Sequence, residues 1–85
     1  MKVTKVRVDR LDAPQGKVLG YADILLDDVL EINHIRIVDG RNGVFAAMPS
    51  WRSPDGTWAD FVIPHDDELR QDIATSILTA FEEAK

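Results

Sequence analysis

Eighty-five residues, a formal net charge of −5 and no cysteine set the first limits. A chain of this length makes one domain and buries only roughly 60–65% of the surface its unfolded form exposes. The missing cysteines exclude disulfides and thiolate metal sites, which leaves a self-association surface as the expected aid to stability.

The opening MKVTKVRVDR lacks the continuous apolar core of a secretion signal, and no run approaches the length of a membrane span, so a cytoplasmic protein is expected. Lys2 to Arg10 reads as a strand with Thr4, Val6 and Val8 on one face and Lys5, Arg7 and Asp9 on the other, although Val3 breaks the phase. Ala13-Pro14-Gln15-Gly16 reads as a turn. Lys17 to Leu26 is apolar on both sides, as in a central strand covered on each face, and Asp27-Asp28 breaks it. Val29 to Val38 is the third strand, with Ile35 and Ile37 in one phase and Leu30, Ile32 and Val38 in the other. Asp39-Gly40 and Asn42-Gly43 can each supply the positive φ angles of a tight reversal.

Val44 to Met48 is a short fourth strand ending at Pro49, which cannot donate to a ladder. Ser53-Pro54-Asp55-Gly56 is a β-turn, and Thr57 to Ile63 a fifth strand stopped by Pro64. After Pro64 the period changes: Leu69, Ile73, Ile77 and Phe81 recur every fourth residue on one stripe of a helix of about 66–84. Asp66 is the expected N-cap, with Asp67 and Glu68 in the first turn where they complement the helix dipole. The fold class is α+β: one domain, 1–85, with a small antiparallel sheet of about five strands within 1–64 followed by a C-terminal helix.

Little here points to catalysis, and no enzyme, cofactor or metal is expected. Asp27-Asp28 is better explained by turn chemistry than as an acid–base pair, and Asp66-Asp67-Glu68 by helix-start electrostatics than as a cation site. His34 sits mid-strand without a nucleophile in a recognisable setting, and His65 stands at the helix entrance. DGRNG lacks the spacing and the strand-to-helix context of a phosphate loop.

Binding has more to stand on. Trp51 and Arg52 lie between a strand end and a turn, where a Trp can stack on bases and an Arg can pair with phosphates. The same pair also typifies protein interfaces. Arg41 adds charge there if folding brings the two turns to one end, and Arg70 is blandly a partner for Asp66 or Asp67. Charge opposes a generic nucleic-acid binder, because phosphates call for a basic excess. The acids are concentrated, however: from Asp66 onward six acids face two bases, a balance of −4 that leaves −1 for the rest.

The segments MKVTKVRV, HIRIVDGRNGVFAAMPS and R-x-PDG, followed by an Asp and a Pro before the helix, resemble the SpoVG family of bacterial septation and stage V sporulation regulators. The resemblance covers nearly the whole chain. It implies a homodimer of the α+β fold above that binds DNA, in some cases RNA, without enzymatic activity or a small-molecule substrate. It places nucleic-acid contacts at Arg52 and Arg70; Trp51 for stacking or shape, and Arg41 as added charge, come from the residues themselves. The chain departs from the family where two consecutive basic residues usually follow Met-Pro-Ser, since Trp51 takes the first place. Asp66, Asp67, Glu68 and Asp72 surround Arg70 with charge that repels phosphate. The alternative is a protein-interaction module docking through the sheet edge and Trp51.

Overall fold

In a regular strand Val3 is out of phase with Val6 and Val8, and the computed structural model, which describes residues 1–84, resolves this with a bulge. Strand β1 (Val3–Gln15) pairs Val3 with Leu26 and Lys5 with Leu25, so Thr4 is the extra residue. Val3, Val6 and Val8 all pack against the core, and Thr4, which alternation assigns to that face, is exposed. Its hydroxyl donates to the Leu25 carbonyl (3.1 Å) and accepts from the Asp28 N–H (3.0 Å). The turn expected at Ala13–Gly16 falls later. Residues 11–14 occupy an irregular gap in the pairing of β1 with β2 (Val18–Leu26), and Gly16 and Lys17 make the reversal.

The same device operates in β3 (Leu30–Gly40). Ile24 faces Ile32 and Ala22 faces Ile35, so Asn33 and His34 together oppose Asp23. His34 takes φ 63°, a left-handed conformation, and its N–H donates to Asp23 Oδ1 (3.2 Å). The extra residue merges two sequence phases, putting Ile32, Ile35 and Ile37 on one buried face. Between β3 and β4 (Gly43–Ala47), Gly40 pairs with Gly43 around Arg41 and Asn42. Neither Asp39-Gly40 nor Asn42-Gly43 therefore fills both central positions, and within this turn positive φ falls on Gly43 alone. Asp27 and Asp28, in contrast, both take positive φ and reverse the chain between β2 and β3 as a turn.

The four strands form an antiparallel meander in the order β1-β2-β3-β4. Helix α1 (Asp67–Glu83) lies across one face and packs on β1, β2 and β4. Ile73, Ile77 and Phe81 meet Ala22, Ile24, Leu26, Ile32, Ile35 and Ile37 there, with Leu69 at the margin. The central strand β2 is thus covered on one face only, and Tyr21, Asp23 and Leu25 remain half-exposed on the other. The expected fifth strand shrinks to β6 (Trp58–Asp60), which leaves the main sheet and pairs with β5 (Ser50–Arg52) in a separate hairpin.

Asp66 is the helix N-cap in extended conformation, but its side chain makes no capping hydrogen bond. The far end has no basic residue in its last turn. Arg10 of β1 supplies one from across the fold: its Nε and Nη2 donate to the Phe81 carbonyl (3.1 and 2.6 Å), and its guanidinium lies 3.7 Å above the Phe81 ring. A cation there answers the negative end of the helix dipole. Asp72 fastens the other side, its Oδ2 accepting from the Val3 N–H (2.9 Å).

Replacing Arg10 by Ala removes both the forked hydrogen bonds and the ring contact, and urea unfolding is expected to show a loss of about 1–3 kcal/mol. Arg10→Lys recovers only part, because an ammonium cannot fork. His34→Val puts a β-branched side chain at positive φ and is expected to cost about 1–2 kcal/mol, whereas His34→Gly stays close to the parent.

Candidate functional site

The bulge in β3 and the departure of the hairpin from β4 shape one corner of the open sheet face. Tyr21, His34, Arg36, Pro49, Ser50, Trp58 and Phe61 line an open depression of about 250 Å³ there. Arg36 reaches it because alternation with the buried Ile35 and Ile37 sends its side chain to the face opposite the helix. Its Nη2 donates to Ser50 Oγ (3.1 Å), and its guanidinium lies 5.8 Å from the centroid of the Trp58 ring. Trp58 and Phe61 are nearly two-thirds exposed, at 64% and 63%.

The hairpin register decides which residues work together. Ser50 pairs with Asp60, Trp51 with Ala59 and Arg52 with Trp58. Directly opposed residues project to the same side of a ladder and neighbours in sequence to opposite sides. Arg52 therefore shares a side with Trp58 and Ser50, and Trp51, although adjacent in sequence, is on the other side. Asp60 ends the Arg52 side and also lines the groove against α1. The turn beyond is built as the sequence indicates: Gly56 N–H donates to the Ser53 carbonyl (2.9 Å) with Gly56 at φ 90°. Asp55 accepts from the Thr57 N–H (3.0 Å) and hydroxyl (2.7 Å). These bonds, the backbone one first, hold the Asp55 carboxyl below its ordinary value. A lowered carboxylate pKa stabilises the turn above the unfolded value and is lost as pH falls through the folded one, so the hairpin keeps this support at neutral pH.

The four residues singled out from sequence are dispersed. Arg41 is exposed in the β3–β4 turn, at the end of β4 remote from the start of the hairpin, so it does not join Arg52 through β4. Arg52 and Trp51 are both exposed on β5. Arg70 is committed locally: its Nη1 pairs with Asp67 Oδ1 (3.2 Å) and its Nη2 donates to the Pro64 carbonyl (2.8 Å). It lines a groove with Phe45, Met48, Asp60 and Ile63 on the helix side of β4. Of the acids around it, Asp67 is its ion-pair partner and Asp72 is turned to β1, leaving Asp66 and Glu68 exposed. Among the described residues, salt bridges involve Arg7 and Arg70 but none involves Arg36, Arg41 or Arg52.

Arg36, Trp58, Tyr21 and Phe61 are the residues that sequence reasoning passed over. The alternation Ile35-Arg36-Ile37 and the hairpin turn Ser53–Gly56, which sets Arg52 opposite Trp58, are the signals that point to two of them. Among the described residues no group of three His, Cys, Asp or Glu side chains is placed to hold a metal ion, and no helix is long and apolar enough to cross a membrane.

The SpoVG family model matches residues 1–83. A Clostridium beijerinckii protein named "Putative septation protein SpoVG" is 37% identical over 84 residues, covering 99% of this chain and 91% of its own. Proteins of the same name from Macrococcus caseolyticus (38% identical, 100% of this chain, 73% of its own) and Phytoplasma australiense (40% identical, 98% and 85%) match in the same way. A family match from the first strand through the helix, with relatives above one-third identity along the whole sheet and hairpin, establishes that the chain belongs to the SpoVG family.

Proposed function

We propose that this chain is a dimeric, cytoplasmic nucleic-acid-binding regulator acting in septation or sporulation, binding DNA and in some settings RNA, without catalytic activity. The observation that carries the reading is that Arg41 and Arg52 are exposed cations without a carboxylate partner among the described residues. On a two-fold dimer each occurs twice, which builds a basic footprint on a protein whose net charge is −5. Arg52 is the leading phosphate contact and Arg41 a flanking one. Arg70 contributes less, since a phosphate must compete with Asp67 and the Pro64 carbonyl for its guanidinium. Trp51, on the opposite side of the hairpin from Arg52, acts at the margin of the footprint or in the dimer contact.

A second reading rests on exposed apolar residues: Phe45 on the edge strand β4, Ile63 in the groove beside it and Trp51 on the hairpin are each about half-exposed. In that reading the edge docks a protein partner and nucleic acid plays no part.

Fluorescence anisotropy with labelled duplex DNA and single-stranded RNA across roughly 50–200 mM salt separates the two. The regulator reading predicts steep salt dependence, with Arg52→Ala lowering the slope of log affinity against log salt by about 1 for each arginine removed, and Arg70→Ala having the smaller effect. Absence of binding to either nucleic acid at the lowest salt contradicts it and leaves the protein-docking reading, which a pull-down lost in Trp51→Ala would support.

A further inference from the structure

We propose that the open corner formed by Tyr21, His34, Arg36, Trp58 and Phe61 is a base-stacking site for single-stranded nucleic acid, with Arg36 and Arg52 as its phosphate clamps. The inference rests on the regulator reading and names its ligand class and the residues that select it.

Three observations converge. The depression measures about 250 Å³, below the roughly 300–1,000 Å³ typical of pockets for drug-sized ligands and in keeping with one planar base. Three of its lining residues are aromatic, and Trp58 and Phe61 are exposed on the corner of the sheet face opposite the helix. Sequence-tolerant binding of unpaired bases uses such exposed ring faces, because every base offers a π-face to stack on. Arg36 is the cation of this corner; it is oriented by Ser50 and the Trp58 ring, whereas Arg7 and Arg70 pair with carboxylates. The register of the hairpin then places Arg52 beside Trp58 on the same side.

A duplex cannot use this corner in the same way. Its bases are stacked inside the helix and present only edges in the grooves, so a recessed aromatic pocket meets phosphate and sugar but no ring face. A single strand can splay one base into the pocket while its flanking phosphates lie over the two arginines. The open face of the four-stranded sheet gives the strand a track, since Lys5 and Arg7 of β1 line the adjoining hollow. Asp23 and Glu31 line that hollow too, which confines tight contact to the Trp58 end.

The test uses the intact chain with Trp51→Phe as background, leaving Trp58 as the single indole. Three probes with the same number of phosphates are titrated: a single-stranded RNA, a duplex of half its length, and an abasic strand of the same length. The single strand is expected to quench Trp58 fluorescence and the abasic strand to leave it unchanged. Trp58→Ala is expected to weaken single-strand binding roughly 5- to 150-fold, with duplex binding unaffected and Trp58→Phe retaining most of the affinity. Arg36→Ala weakens single-strand binding in the same manner. Equal affinity for the abasic strand, or salt-dependent binding to all three probes without quenching, overturns the stacking site but leaves the regulator reading standing. Failure of all three to bind at low salt overturns the stacking site, and the same failure with duplex DNA overturns the regulator reading as well.

Discussion

A single helix with one apolar stripe can cover one face of a four-stranded sheet and no more. That constraint organises the rest of the molecule. The stripe of Ile73, Ile77 and Phe81 meets a face assembled from Ala22, Ile24, Leu26, Ile32, Ile35 and Ile37, and every large apolar residue of the sheet that misses this face stays partly in water. At roughly 25 cal/mol per Å² of apolar area removed from water, losing even one isoleucine from that set would erode a margin that is small in any domain of this size. The strands are bent to fit the helix. The bulges at Thr4 and at Asn33–His34 bring Val3 and Ile32 back into phase with their neighbours, and the second does so with His34 at positive φ.

The same bulge that completes the core helps to make the opposite face. With His34 as the extra residue, the chain keeps Ile35 and Ile37 inward and sends Arg36 outward, where the hairpin meets it with Ser50 and Trp58. Core and open corner are two sides of one backbone irregularity. The helix termini follow a related economy: a helix without a basic last turn borrows Arg10 from β1, and the N-terminal strand is held by Asp72 of the helix. Two charges that look redundant in one dimension, Arg10 and Asp72, hold the two layers together.

Much of the fold is legible in the sequence because its determinants are local. The helix stripe, Asp66 at the N-cap position, the Asp27-Asp28 break and the Ser53–Gly56 turn depend on residues within a few positions of one another. What alternation alone misplaces is what depends on the partner strand: Thr4, the late reversal at Gly16–Lys17, and the fifth strand that becomes half of a hairpin. The candidate site divides in the same way. Trp51 and Arg52 are legible as an exposed pair, but the side each faces is fixed by the register with Ala59 and Trp58. Arg70 reads in sequence both as a contact and as a partner for Asp66 or Asp67; the fold selects Asp67 and adds the Pro64 carbonyl.

The most direct test of the account is a heteronuclear NMR titration of the labelled protein with single-stranded RNA, following backbone amides, the indole N–H groups and the arginine side chains. Shifts confined to Arg36, Arg52, Trp58 and their neighbours on the open face are the predicted result. Shifts centred on α1 around Arg70, or none anywhere at low salt, would contradict it.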